Sequence, residues 1–480
     1  MVRKYSNFIN GAFVSVRGGT VIKVLNPATE EVVSEVPDSS VTEANEAVDA
    51  AYAARKEWAR TPAIERADYI RRLCGEIRAK KEMLARVITE EQGKTLSLAQ
   101  SEVDFCLGLM EYAAEWARRL EGEVIPSDFK DQNIFLYRQP YGVALCIIPW
   151  NFPLAIIGRK VGPALIAGNT VVVKPSSDTP NVAFEFAKLV EKVGFPVGVV
   201  NVISGKGGTI GNALVTNGKV GIISHTGSVE AGQEVMRAAA ENITKVSLEL
   251  GGKAPAIVMD DADIGLASSC SYDHRFFNVA GQACVAAERI YVQTGVVDKY
   301  IESLVALVKR LKVGDPMAPE TGMGPLINKS ALEKVEGMVD RAVAAGATVL
   351  CGGRRPPNLT KGYYYEGTVL TDVRQDMEIM QKEVFGPVIP VMTFKTIDEA
   401  IALANDCEYG LSSAVYTRDL HTAMKAANEL EFGETYVNRP PFDQIQGFHA
   451  GWKKSGLGGD DGKHGIYEFL QTHLVTINYA

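Results

Sequence analysis

The sequence predicts an α/β protein with a parallel, doubly wound sheet in its first large unit and a second α/β unit after it. Three observations carry that expectation. Short apolar runs alternate with amphipathic stretches of helical period between residues 143 and 250. The runs lack polar alternation, as strands buried on both faces do. The pattern restarts near Pro255 and continues to Tyr436. At 480 residues the chain also exceeds what one compact core holds.

In order, residues 42–60 and 62–91 carry apolar positions at helical spacing and are expected to cover a sheet. Residues 133–138 alternate like a strand, and 143–148 form a fully buried one. Helices follow over 154–165, 181–193, 208–217 and 230–240, with strands over 170–173, 199–203, 220–224 and 245–250. A sheet of this kind binds ligands outside the carboxyl ends of its strands.

Composition narrows the function class. Hydrophobic residues make up 46% and charged residues 22%, and the net charge of −8 argues against a nucleic-acid-binding surface. The segment 143–158 is the longest apolar stretch, and Pro149, Asn151 and Pro153 break it. Residues 1–7 lack a signal peptide's apolar run, so a cytoplasmic protein without membrane contact is expected. Seven cysteines without a Cys-x-x-Cys, and six histidines without a His-Glu-x-x-His, suggest neither a disulfide framework nor a metal site.

Two residues carry candidate chemistry. Cys284 ends Gly281-Gln282-Ala283-Cys284, and Glu249 stands in Leu248-Glu249-Leu250-Gly251-Gly252-Lys253. Together they offer a nucleophile and a water-activating carboxylate, the equipment for a reaction through a thioester. Alone, Cys284 is a small buried hydrophobe and Glu249 a carboxylate at a turn. In Pro149-Trp150-Asn151-Phe152-Pro153 the Asn is fixed between prolines after a buried strand, where it either donates to an oxyanion or caps the next helix.

Lys174, in Lys174-Pro175-Ser176-Ser177, either meets a ribose or phosphate at a strand's carboxyl end or lies on the surface. Thr226-Gly227-Ser228 opens a helix whose N–H groups either hold a pyrophosphate or are simply capped. The glycines from Gly205 to Gly211 have one residue too many for a dinucleotide fingerprint and read as a strand-to-helix turn. Gly93-Lys94-Thr95 lacks the first glycine of a triphosphate loop, since Ile88 stands there.

Taken in order, Asn26-Pro27-Ala28-Thr29, the segments around Asn151, Glu249 and Cys284, Glu383-Val384-Phe385-Gly386-Pro387-Val388 and Lys454-Ser455-Gly456 resemble the NAD(P)-dependent aldehyde dehydrogenase superfamily. The resemblance covers nearly the whole chain. Around Gln446-Gly447-Phe448-His449-Ala450-Gly451 it is similar to the bacterial lactaldehyde/glycolaldehyde dehydrogenases.

The resemblance implies that Cys284 is the nucleophile, that Asn151 and the Cys284 N–H form the oxyanion hole, and that Glu249 is the base for the hydrolytic water. It implies a cofactor, NAD or NADP, held by Ile148, Pro149, Trp150, Lys174, Ser176, Ser177, Gly227, Ser228, Leu250, Glu383 and Phe385. Arg159, Phe448 and His449 are the substrate-side candidates. Arg159 would meet a polar or carboxylate group, or pair with an acidic residue; His449 would bond an α-hydroxyl, or have no role. The implied organisation is a dinucleotide-binding domain over 1–119 and 141–251 and a catalytic domain over 252–453. A small β oligomerisation arm over 120–140, with the carboxyl-terminal segment 454–480, would build a homo-oligomer, dimer or tetramer.

Three departures stand out. Members strict for NAD commonly carry Glu where this chain has Ser177, and serine does not repel a 2′-phosphate, so NADP is open. His225 replaces a common Phe, and Val285 follows the nucleophile. The expected reaction is oxidation of a short, polar 2-hydroxyaldehyde. The alternatives are a semialdehyde such as succinate semialdehyde, transfer of the acyl group to coenzyme A, or a non-enzymatic member.

Overall fold

The computed structural model describes residues 2–277, 279–442 and 444–480. Its first large sheet has eight strands in the order Gly456–Leu457, Lys245–Glu249, Ile222–Thr226, Val143–Ile147, Thr170–Lys174, Val200–Val202, Asn7–Ile9, Ala12–Val14. The five from Lys245–Glu249 to Val200–Val202 are parallel, and the outer strands run antiparallel to their neighbours. Val143, Ala144, Leu145 and Cys146 are fully buried, because helices cover both faces and leave no side for polar residues.

Helix ends follow local chemistry. Val41–Arg60 begins with a capping box in which Ser40 and Glu43 satisfy each other's backbone N–H groups. Pro153–Ala167 starts on a proline and stops at Gly168, whose φ of 96° a side chain would oppose. Leu96–Glu115, which the sequence reading passed over, packs along Pro153–Ala167. Where one helix over 208–217 was expected, the chain makes a wide turn over Gly207–Gly211 and then the short helix Asn212–Val215. Three glycines in five residues leave a regular helix too little to offset its entropy. The expected strand over 220–224 lies two residues later, at Ile222–Thr226.

The second large sheet runs Thr348–Cys351, Thr368–Thr371, Val388–Phe394, Arg289–Gln293, Pro255–Val258, Ser412–Tyr416, Glu434–Val437. All neighbours are parallel except the first pair. It surrounds a separate apolar core. Glu123–Pro126, Gln132–Pro140 and Leu470–Asn478 form a three-stranded antiparallel sheet. No helix among the described residues is long and apolar enough to cross a membrane.

Candidate active site

From Val143–Ile147 the chain moves to one side through Thr170–Lys174 and Val200–Val202. It then returns to the other side through Ile222–Thr226 and Lys245–Glu249. The crevice at that reversal is where such sheets bind ligands. A cavity of about 210 Å³ opens there. Pro149, Trp150, Asn151, Gly227, Ser228, Leu250, Cys284, Glu383 and Phe385 line it, together with Thr226 and Gly251 of the quoted motifs and with Lys334, which the sequence reading left out. A second cavity, about 220 Å³, is lined by Lys174, His225 and the glycine turn Gly207, Gly208 and Gly211.

The loop leading to Cys284 is held tightly. Val279 and Ala280 have φ of 55° and 51°, a region that costs L-residues energy, and Gly281 follows at 74°. Gly281 packs on the Gly386 carbonyl so closely that a Cβ would collide with it. Gln282 pins the turn: its Nε2 donates to the Val279 carbonyl at 2.9 Å, and its Oε1 accepts from the Ile327 N–H at 3.0 Å. Cys284 is thereby presented, half-buried, to the cavity.

Asn151 is buried, and its Nδ2 donates one hydrogen to the Gln282 carbonyl at 3.0 Å. An amide nitrogen carries two, so the arrangement couples Asn151 to the Cys284 loop while keeping a donor for a ligand. The loop's other support is Lys94, whose Nζ donates to the Asn151 carbonyl at 2.7 Å and pairs with Glu102. Glu102 in turn accepts the N–H groups of Leu154 and Ala155, the first turn of Pro153–Ala167. The Gly-Lys-Thr tripeptide is thus a buried strut.

Glu249 ends its strand fully buried, and neither carboxylate oxygen has a hydrogen-bond partner among the described residues. His449 lies beside it, with Nε2 at 3.5 Å from Oε2. Burial pushes the Glu249 carboxyl well above its usual range, with His449 opposing the shift. Glu383 accepts the Gly252 N–H at 2.8 Å, and its pKa is raised by burial and by Glu288. Glu288 itself accepts the N–H groups of Val384 and Phe385 and pairs with Lys253 and Arg275. That cluster holds Phe385 at a φ of 54°, edge-on to Trp150 with ring centroids 5.4 Å apart.

The remaining predicted residues scatter. Ile148 packs into the first core beneath the crevice. Ser176 Oγ accepts the Asp178 N–H and Ser177 Oγ donates to the Gly205 carbonyl, both outside the residues lining the cavities. Lys174 is buried, which brings its ammonium down to about 8. Arg159 is buried in a two-pronged pair with Asp461, at 3.1 and 2.8 Å, and its neighbour Lys160 pairs with Asp460 at 3.0 Å. Phe448 is partly exposed and meets His464 edge-on.

The cavities fit a dinucleotide. Ser228 caps Val229–Ala239 and lines the crevice at that helix's N-terminal end, a geometry that suits phosphate oxygens. No heavy atom lies within 4 Å of where a Cβ on Gly207 or Gly208 would stand, so that backbone is open to a ligand. Both ring nitrogens of His225 are buried in the second cavity's wall without a hydrogen-bond partner among the described residues. Burial, with Lys160 and Lys174, holds that imidazole neutral at a pKa of about 3.

The pattern common to the Aldehyde dehydrogenase family matches residues 13–475. The chain belongs to that family. It is an NAD(P)-dependent oxidoreductase. This aldehyde dehydrogenase is 52% identical to the lactaldehyde dehydrogenase of Escherichia coli (strain K12) over 98% of its own length and 97% of the relative's. A crystal structure of the Escherichia coli lactaldehyde dehydrogenase superposes with a TM-score of 0.98 at 51% identity, covering all of both chains. It is 39% identical to the D-glyceraldehyde dehydrogenase (NADP(+)) of Picrophilus torridus, over 98% of this chain and 96% of that one. A point mutant of betaine aldehyde dehydrogenase from Staphylococcus aureus, solved in complex with NAD+, gives a TM-score of 0.96 at 37% identity, over 98% and 96% of the two chains.

Among the described residues no cluster of His, Cys, Asp and Glu could hold a metal. Lys334 left no legible signal, because it looks like a surface charge until the fold brings it to the site, and Lys94 was read only as the end of a rejected triphosphate loop.

Proposed function

We propose that the protein oxidises a short polar 2-hydroxyaldehyde, such as lactaldehyde or glycolaldehyde, to the carboxylate through a thioester on Cys284. One observation carries this reading. Cys284 and Asn151 line a single crevice with the residues suited to a dinucleotide, while Glu249 ends the strand whose continuation, Leu250 and Gly251, forms its wall.

In this reading Cys284 Sγ attacks the aldehyde carbon. The resulting oxyanion is met by the second Asn151 amide hydrogen and the Cys284 N–H, donors already fixed before reaction. NAD or NADP, when bound, supplies the acceptor for the hydride that leaves the thiohemiacetal carbon. Lys174 would hold the adenine-side ribose, Ser228 the pyrophosphate and Glu383 the nicotinamide ribose, with Trp150 and Phe385 as the flanking pair. Glu249 then takes a proton from water, whose oxygen attacks the thioester.

For the substrate, Asp461 already neutralises Arg159, so a second carboxylate would compete with a buried partner. That favours a hydroxyaldehyde over a semialdehyde, and the likeness to a lactaldehyde dehydrogenase points the same way. Steady-state kinetics with glycolaldehyde, lactaldehyde, succinate semialdehyde and propanal, each with NAD and NADP and with or without coenzyme A, tests the assignment. The hydroxyaldehydes should give the highest kcat/KM without coenzyme A. Preference for succinate semialdehyde, or a requirement for coenzyme A, would overturn it.

We further assign residues 1–119 and 141–251 to cofactor binding and 252–453 to catalysis, in a cytoplasmic homo-oligomer. The three-stranded sheet of 120–140 with the carboxyl-terminal strand supports the assembly, since Val124, Phe129, Leu474 and Ile477 expose apolar surface on it.

A further inference from the structure

Glu249, if it is the base of hydrolysis, has a disposal problem. It lies in a buried site, and each turnover leaves a proton on it. Neither of its oxygens has a hydrogen-bond partner among the described residues, and the imidazole of His449 is the group that faces it, 3.5 Å away.

His449 is held from the far side. Its Nδ1 lies 2.7 Å from Glu434 Oε1, and a carboxylate only accepts, so Nδ1 carries the hydrogen and Nε2 turns its lone pair to Glu249. Glu434 Oε2 accepts from the Tyr436 hydroxyl at 2.8 Å. Glu434 and Tyr436 belong to the edge strand Glu434–Val437 of the second sheet, and both are only partly buried. The His449 backbone is locked by reciprocal bonds with Asp460, at 2.9 and 2.8 Å, and Gly433 lets the Ala450 carbonyl pack directly against it. Three separate elements therefore meet in one line, from the end of one sheet to the edge of the other.

We propose that His449, oriented by Glu434, is the positioning residue and proton acceptor behind Glu249, carrying the hydrolytic proton from the crevice toward the edge of the second sheet. The step balances as follows. An O–H bond of water breaks as its oxygen bonds to the thioester carbon, and the proton passes to Glu249 and on to His449 Nε2. The C–S bond then breaks, the electron pair stays on Cys284 as thiolate, and the carboxylic acid departs. The imidazolium is balanced by Glu434 until its proton reaches solvent.

Among the described residues, the following charged groups face this line. His449, Asp460, Lys160 and Arg159 act on Glu249, and Asp460 and Asp461 already pair with Lys160 and Arg159. Glu434 faces His449, with Tyr436 beyond it. The inference rests on Glu249 being the hydrolytic base, and it differs from a His449 that reads a substrate hydroxyl, because a relay serves every aldehyde.

The test is His449→Gln and Glu434→Gln in the full-length enzyme, followed through the first turnovers and the steady state with propanal and with lactaldehyde, across pH. Both variants should keep the burst of reduced cofactor, which also shows that they fold. Steady-state turnover should fall roughly tenfold or more with both aldehydes for His449→Gln, and less for Glu434→Gln. The acid limb of kcat should change, since in wild type a His449 that already carries a proton at Nε2 can take no second one from Glu249. A loss confined to lactaldehyde, or an unmoved pH profile with propanal, would overturn the relay while leaving the base intact. Normal turnover by Glu249→Gln would instead remove the base. If His449→Gln fails to fold, Glu434→Gln, on a different element, decides by the same profile.

Discussion

Cys284 owes its presentation to a backbone that two non-glycine residues hold at positive φ, so its side chain can be removed without disturbing the crevice. Cys284→Ala should abolish oxidation and leave NAD(P) binding, measured by calorimetry, unchanged; turnover within tenfold of wild type would remove Cys284 from the chemistry. Asn151→Ala should lower turnover by roughly 10²–10³, the usual loss for one oxyanion donor. In the proposed cofactor site Ser177 brings no carboxylate to repel a 2′-phosphate, and on that proposal Ser177→Glu should weaken NADP relative to NAD. No NADP activity in wild type would contradict that inference. His225 gives a stability prediction. Its folded-state pKa of about 3 lies below the ordinary 6.5, so as pH falls the unfolded chain takes the proton first and stability drains away through that window. Against His225→Phe, wild type should lose about 1.4 kcal/mol per pH unit below 6.5, read by urea unfolding. Cys284, Asn151 and Ser228 were legible because each sits in a short motif at a strand or helix end. Glu434 was not, because its role depends on a contact with His449 that only the tertiary fold creates.

At the scale of elements, the loop after Val143–Ile147 stands on the buried pair of Lys94 and Glu102, which connects Leu96–Glu115 to the first turn of Pro153–Ala167. Removing one partner strands the other charge in the core, so Lys94→Met should cost about 3–5 kcal/mol. Lys94→Met with Glu102→Leu should recover much of that stability yet still lower turnover, because Asn151 loses its strut. Stability and activity of the double variant both at wild-type level would show that the strut positions nothing. The helix Asn181–Val193 could be read from its apolar period and the Gly194 that stops it. The glycines from Gly205 to Gly211 could be read as a strand-to-helix turn, but not where that turn ends, since the late helix start at Asn212 follows from missing side chains and not from a pattern of present ones.

For the whole molecule, the alternation of apolar runs and amphipathic stretches foretold two parallel sheets, whereas the meeting of their ends around Cys284, Glu249 and His449 is a long-range event that periodicity does not encode. The exposed apolar sheet of Gln132–Pro140 and Leu470–Asn478 should be covered by a second copy, and Leu474→Asp should shift the mass in analytical ultracentrifugation toward monomer; a wild-type monomer would refute the assembly. The proposed reaction turns on a thioester formed on Cys284 and released by Glu249. Rapid mixing of Glu249→Gln with NAD or NADP and lactaldehyde, with mass spectrometry of the quenched protein, tests that directly. A burst of about one reduced cofactor per subunit should precede slow turnover, with an acyl adduct on the Cys284 peptide. Linear, undiminished turnover with no adduct on Cys284 would contradict it.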